Sequence, residues 1–177
     1  MDVIGRKTMV NLPDVGVERT LVLLKPDAVA RGLMGRIVAR FEDALLKVVG
    51  VKMKHLDAEF TRQHYFDLEE RLGADIYRTT AEFMRTGPVI ALALEGVDAV
   101  RKVRTIIGGT YPNEAPPGTI RGDFAHQTKA SSQLSGKAII NLVHASGNSV
   151  EAKYEVALWF GDDEQFDYET LAEKLAY

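Results

Sequence analysis

Apolar and polar residues recur along this chain in two periods, and each change of period marks a change of element. Arg19 to Leu24 (RTLVLL) is a short continuous apolar run that predicts a buried strand. It is ended by Lys25-Pro26-Asp27, because proline cannot continue a central strand and aspartate favours a turn. Leu33, Ile37, Phe41 and Ala44 then recur at helical spacing among Arg36, Arg40 and Glu42, predicting an amphipathic helix from about Leu33 to Leu46. Val48 to Leu56 alternates apolar residues with lysine and histidine and predicts a second strand containing His55. Helical stretches follow from Thr61 and from Ala74 to Arg85, and Gly87-Pro88 breaks the second. Val89 to Leu94 predicts a central strand, and Val97 to Ile107 a further helix through Val100, Val103 and Ile107. Gly108 to Gly122, rich in proline and glycine, predicts a long irregular loop. His126 falls on an expected strand, Ala130 to Lys137 on a turn or hairpin tip, and Ala138-Ile139-Ile140 on a buried strand. Ser149 to Phe160 closes the pattern as a helix, with Trp159-Phe160 packing it on the sheet. Strands and helices interleaved around one small sheet predict an α+β sandwich.

The bulk numbers narrow the function classes. A length of 177 residues suits one domain with a sizeable core. A net charge of −3 gives no whole-chain attraction to nucleic acid or anionic lipid, so any phosphate site must be a local cluster. The chain has no cysteine, which excludes disulfides and thiolate chemistry and fits a reducing cytosol. The longest apolar run, Pro88 to Leu94, is far short of the roughly 18 residues that span a bilayer. Residues 1–17 lack a signal peptide's continuous apolar stretch and are expected to form a frayed or partner-packed arm ahead of a single domain, 18–177. The expected location is the cytoplasm, with no membrane and no obligate nucleic-acid partner.

The residue with the most chemical information is His144, in Asn141-Leu142-Val143-His144-Ala145-Ser146. A histidine delivered from a strand end, with an acid on the following helix, has the parts of a phosphate-accepting nucleophile. One ring nitrogen attacks while a carboxylate orients the other and offsets the charge that develops. Isolated histidines are more often structural, and His55, His64 and His126 are read that way. Four basic residues are candidates for phosphate: Lys25 at a strand end expected to project into solvent, Arg101 and Arg104 sharing a helix face, and Arg121 between glycines that allow close backbone approach. Each alone reads as a surface charge, and Tyr65 is open between core and ligand.

Neither G-x-x-x-x-G-K-[ST] nor G-x-G-x-x-G occurs, so a phosphate site here would use side-chain clamps rather than a glycine-rich cradle. No H-E-x-x-H pattern exists, which leaves no protein-ligated metal to expect. Mg²⁺ carried in on nucleotide phosphates fits the same sequence.

Several segments, in order, resemble the nucleoside diphosphate kinases: Glu18 to Asp27 (ERTLVLLKPD), Arg31 to Gly35 (RGLMG), His64-Tyr65, Gly87-Pro88-Val89, Pro117 to Phe124 (PGTIRGDF), Asn141 to His144 (NLVH) and Glu155 to Phe160 (EVALWF). The resemblance spans residues 18 to about 175. It implies a ferredoxin-like α/β sandwich with a four-stranded antiparallel sheet, a homo-oligomer (usually a hexamer), and Mg²⁺-dependent ping-pong transfer of a γ-phosphate from a nucleoside triphosphate to a diphosphate such as GDP. By position it makes His144 the phosphorylated nucleophile. Glu155 becomes the partner of the non-attacking nitrogen, and Ser146 the support of that glutamate. Lys25 falls where the family reaches phosphate and the ribose 3′-hydroxyl, and Tyr65 at the tyrosine beside it; Arg104, Thr110 and Arg121 fall where the family clamps phosphate, and Asn141 where it meets the ribose hydroxyl. Arg101 has no family role and reads as a surface charge.

Three departures stand out. After His144 the family reads H-[GA]-S-D-S, whereas here Ala145-Ser146-Gly147-Asn148-Ser149 is one residue longer and lacks the aspartate, leaving Asn148 or Ser149 to cap the helix. After Arg71 the usual proline and base-stacking aromatics give way to Leu72-Gly73-Ala74-Asp75-Ile76-Tyr77, with Ile76 or Tyr77 as possible lining of a base site. An insertion at about 128–138 is expected to lengthen a hairpin. The rival reading is a catalytically silent nucleotide-binding scaffold of the same fold.

Overall fold

The apolar run of the first strand decides the architecture. Leu21, Val22, Leu23 and Leu24 are all fully buried, so this strand has to be covered on both faces. In the computed structural model, which describes residues 16–176, it is β1 (Val17–Leu24) and lies inside a four-stranded sheet. The other strands are β2 (Lys47–Lys54), β3 (Val89–Val97) and β4 (Val143–Ala145). The order is β2-β3-β1-β4, and every pairing is antiparallel.

The first helical segments after β1 are α1 (Pro26–Ala30) and α2 (Met34–Glu42). Between β2 and β3 lie α3 (Ala58–His64), α4 (Leu68–Leu72) and α5 (Ala74–Met84). After β3 come α6 (Ala99–Ile107), α7 (Ile120–Phe124) and α8 (Lys129–Ser135), and after β4 come α9 (Ser149–Trp159) and α10 (Leu171–Ala176). Strand alternation sends Val22, Leu24, Leu92 and Leu94 to one face, against Ile37 and Phe41 of α2 and Val103 and Ile107 of α6. Leu21, Leu23, Ala91 and Ala93 face the other way, against Met84, Val156, Trp159 and Phe160. This is the ferredoxin-like α+β sandwich, with the α3–α5 segment and α9 on the second face.

Several local expectations are corrected. The helix predicted to Leu46 stops at Glu42, because Leu45 takes φ +63° and the Leu46 N–H reaches back to the Phe41 carbonyl at 3.1 Å. That is a Schellman end with leucine where glycine is usual. Pro26 starts a helix rather than only a turn, since its missing N–H costs nothing at a first helical position. The Gly108 to Gly122 loop holds a 3-10 turn (Pro112–Glu114) and the start of α7. The expected hairpin tip is α8, whose Thr128 and Ser131 exchange side-chain and backbone hydrogen bonds in a capping box. Ala138 to Ile140 is not a strand, and Ile140 is exposed; the pairing residues are instead Val143–Ala145. His55 and His126 lie outside strands. The arm expected at residues 1–17 falls almost wholly outside the described residues.

Candidate active site

Two chain segments meet where β1 ends and β4 begins. The Lys25 N–H donates to the Leu142 carbonyl at 2.8 Å, and the Leu142 N–H donates to Asp27 Oδ2 at 2.9 Å. Leu142 is thus held by both backbone groups, which lets it keep φ +71°, a conformation unfavourable for a leucine. A bond from the Val143 N–H to the Asn141 carbonyl (2.8 Å) closes a γ-turn around it. This turn re-aims the chain just before β4. Val143 and Ala145 then enter the first core, while His144, on the opposite face beside Leu23, is left partly open with 19% of its side chain exposed.

His144 Nε2 lies 2.7 Å from Glu155 Oε1. A carboxylate can only accept, so Nε2 carries the proton and the lone pair is on Nδ1. Glu155 Oε2 accepts from Ser146 Oγ at 2.5 Å, and Ser146 is itself tied to Leu21 through both its backbone N–H and its Oγ. Burial alone would raise the Glu155 carboxyl; the charge and hydrogen bond of His144, with His64 and Ser146, outweigh it and hold the group below the usual range. Asn148, in the longer loop, caps α9 by accepting from the N–H groups of Val150 and Glu151, both at 2.9 Å. The missing aspartate is replaced at the cap.

Lys25 does not project into solvent. It is buried, its Nζ donates to the Ile139 carbonyl at 3.3 Å and stands 5.1 Å from the centre of the Phe83 ring. Desolvation, only partly offset by Asp27 and reinforced by Arg121, brings its pKa down to about 8. Arg121 on α7 is also buried. Its guanidinium donates to the carbonyls of Asn141 (3.2 Å), Gly108 (3.0 Å) and Val143 (2.7 Å), so two of its five N–H bonds brace the chain on either side of Leu142 and a third ties it to the end of α6. Desolvation and the nearby charge of Arg104 lower it to about 10, which leaves it charged near neutral pH. Gly122 is the glycine this helix requires, because a Cβ there would stand 2.2 Å from the Pro116 carbonyl oxygen.

Asn141 is buried and donates from Nδ2 to the Thr110 carbonyl at 2.8 Å, so Thr110 joins the same cluster. Arg104 and Arg101 are exposed on α6; Arg101 is held by Asp98 and stays a surface charge. Tyr65 caps α3 with its ring centre 6.0 Å from that of His144, and burial with Glu155 raises its hydroxyl well above the ordinary value. Tyr77 does not reach this cluster; it lies under the Arg62 guanidinium.

Asp27, Phe83 and His64 are the neighbours that sequence reasoning missed. His64 is buried on the far side of His144, with ring centres 4.6 Å apart. Its signal in the sequence was the His64-Tyr65 pair among the family-like segments. Asp27 ends a family-like segment but was given only a turn role, and nothing in the pattern around Phe83 marks it.

A nucleophile-like histidine braced by an acid, beside two buried cations, defines a phosphate-handling α+β protein. The family model for nucleoside diphosphate kinase matches residues 18–165. A Pyrococcus abyssi nucleoside diphosphate kinase is 44% identical, covering 85% of this chain and 89% of that protein. Human nucleoside diphosphate kinase 3 is 43% identical over 88% of this chain and 84% of its own length. Among solved structures, a Borrelia burgdorferi nucleoside-diphosphate kinase with bound vanadate and ADP, a transition-state mimic, superposes with a TM-score of 0.87 at 38% identity, covering 89% of this chain and 95% of that one. A Halobacterium salinarum enzyme in complex with CDP gives 0.78 at 40% identity, covering 90% and 98%. The chain belongs to the nucleoside diphosphate kinase family, and its function is nucleoside diphosphate kinase activity.

Proposed function

We propose that this kinase works in two half-reactions through His144. Nδ1 attacks the γ-phosphorus of a nucleoside triphosphate, an Nδ1–P bond forms, the bond to the β-phosphate oxygen breaks, and the nucleoside diphosphate leaves with that electron pair. An incoming diphosphate then attacks the phosphohistidine through a terminal oxygen and takes the phosphoryl group. The observation that carries this reading is the one-sided bonding of His144. Glu155 Oε1 engages Nε2 at 2.7 Å, which commits the lone pair to Nδ1 on a partly open ring. Throughout, the Nε2 proton stays with the imidazole and Glu155 offsets the positive charge that grows on it, while Ser146 fixes the carboxylate.

Phosphoryl transfer depends on positioning and charge neutralisation more than on further covalent machinery. Lys25, Arg104 and Arg121 are assigned to that task, with Thr110 as a further phosphate contact. The assignment draws support from the lowered pKa values of Lys25 and Arg121, because buried cations held close together favour an arriving anion. Asn141 is assigned to the ribose hydroxyl, and Tyr65 to the wall beside Lys25.

Mg²⁺ belongs with the substrate in this reading. The grouping of possible metal ligands among the described residues is His64, His144 and Glu155, a nitrogen-rich set with both Glu155 oxygens already engaged. Mg²⁺ favours an all-oxygen octahedron, so these residues do not suit it. The ion would enter on the nucleotide's own phosphates.

The relatives with ADP and with CDP carry a purine and a pyrimidine respectively, which supports a substrate range of several bases, ATP and GDP among them. The family resemblance further leads us to propose a homohexamer located in the cytoplasm. No helix among the described residues is long and apolar enough to cross a membrane.

Incubation of the protein with γ-labelled ATP and Mg²⁺ tests the mechanism. Acid-labile, base-stable label should appear on the protein, chase onto added GDP or UDP, and be absent from His144→Ala. ATP binding without labelled protein would overturn the reading in favour of a silent scaffold.

A further inference from the structure

We propose that the indole N–H of Trp159 locks His64 into one tautomer, and that this lock reserves Glu155 Oε1 for His144. The proposal rests on His144 as the phosphoryl acceptor and adds two positioning residues behind it. Trp159 is the only tryptophan of the chain and is 2% exposed at the end of α9, one turn beyond Glu155. Its Nε1–H donates to His64 Nδ1 at 3.2 Å. An indole N–H can only donate, so Nδ1 must hold a lone pair and the proton of a neutral imidazole must be on Nε2. The opposite tautomer would set two N–H groups against each other in the interior.

The protons around Glu155 show what the lock achieves. Three donors converge on this cluster: His144 Nε2–H, Ser146 O–H and Trp159 Nε1–H. Three acceptors meet them one for one, namely Glu155 Oε1, Glu155 Oε2 and His64 Nδ1. The same His64 Nδ1 lies only 3.6 Å from Glu155 Oε1. With Trp159 donating to it, Nδ1 brings no proton to that oxygen. Without the indole, an Nδ1–H tautomer would become a second donor to the oxygen that orients His144. The packing leaves little room to avoid this by moving, since His64 lies edge-to-face against His144 on one side and 5.7 Å from Trp159 on another.

Two further observations agree. His64 Nε2 has no hydrogen-bond partner among the described residues, so the fold accepts an unpaired buried N–H on that side while satisfying Nδ1. Burial and the neighbouring His144 also depress the His64 pKa to about 3, so His64 remains a neutral ring that does not compete electrostatically for the carboxylate. The geometry fixes which nitrogen His64 leaves unprotonated.

The test combines tautomer measurement with a mutant cycle. In protein labelled with ¹⁵N-histidine, the His64 ring should show an unprotonated Nδ1 and a protonated Nε2 across neutral pH; a protonated Nδ1 in the native protein would overturn the proposal without any mutant. Trp159→Phe should populate the Nδ1–H tautomer and slow His144 phosphorylation roughly tenfold, the scale on which partners of a functional histidine act. Adding His64→Leu to Trp159→Phe removes the competing donor and should recover most of that rate, whereas a purely structural role predicts equal or greater loss. A double variant no faster than Trp159→Phe, or a Trp159→Phe protein with unchanged tautomer and rate, would sink the idea. If Trp159→Phe fails to fold, the native tautomer decides. The labelling of His144→Ala judges the phosphoryl acceptor separately, because the tautomer readout needs no phosphorylation.

Discussion

At Lys25, desolvation works against the charge that its proposed phosphate role requires. The residue is 7% exposed, and burial brings its pKa from 10.5 to about 8, with Arg121 acting in the same direction and Asp27 against it. At neutral pH the group is still charged, and it loses its proton as pH rises through about 8. Phosphorylation by ATP should therefore fall above pH 8 in the native protein, and Lys25→Arg, which stays charged, should flatten that limb whatever its absolute rate. Rapid-quench rates between pH 6.5 and 9.5 check this; identical profiles would assign the limb to another group. Stability has the opposite slope. The folded chain binds fewer protons than the unfolded one between about 8 and 10.5, so Lys25 makes the native state more stable as pH rises across that window. An incoming phosphate should raise the Lys25 pKa, because an adjacent anion favours the ammonium.

At the scale of elements, α9 is positioned by its first turn and read at its middle. Asn148 satisfies two N–H groups that would otherwise face out unpaired, and Ser149 Oγ donates to Glu18, which also accepts from the Val100 N–H at the start of α6. Glu155 lies past that turn, in a helix anchored at its far end by Trp159. Asn148→Ala should cost about 1 kcal/mol of folding stability, as loss of such a cap generally does. Urea denaturation checks the figure. A change below a few tenths would mean that the longer loop caps the helix by another route. The predicted amphipathic helices fall close to their expected places because a 3.6-residue apolar period suffices to specify them. The short strand with His144 was displaced from Ala138-Ile139-Ile140, because apolar content alone does not say which residues the sheet pairs. The γ-turn at Leu142 sets that pairing, and it is held by Lys25 and Asp27, more than a hundred residues earlier, together with Arg121.

Across the whole molecule, Lys47 ties the C-terminal segment to the sheet. Its Nζ is 2.8 Å from Glu95 Oε1 and 3.1 Å from Glu173 Oε1, and it donates to the Tyr168 carbonyl at 2.7 Å; the Phe166 N–H and Tyr168 hydroxyl bond to Val49 and Val48 of β2. Burial tends to raise Glu95, but Lys47 and Arg19 bring it below its ordinary value. The stability this pairing adds is present above the unfolded carboxylate value of 4.5 and is lost as pH falls through the lower folded one. Lys47→Met should destabilise the fold by about 3 kcal/mol, the lower range for breaking a buried pair, because Arg19 still accompanies Glu95. Limited proteolysis should then cut first after Gln165. Unchanged denaturation would show that the C-terminal segment adds nothing to the sheet.

The sequence by itself determined the α+β class, the helices of the two faces and the residues from which the site is drawn. Those depend on local periodicity and on chemical type, and both are written along the chain. The family's ordered motifs named His144, Glu155 and Lys25, and the fold sets His144 against Glu155 even across a longer loop. Only the tertiary structure decided that Lys25 is buried, that Arg121 braces three carbonyls and that His64 backs His144. Burial and hydrogen-bond partnership depend on segments distant in the chain, and no local pattern records them. His64 shows the difference most clearly, since its tautomer is set by a tryptophan ninety-five residues away.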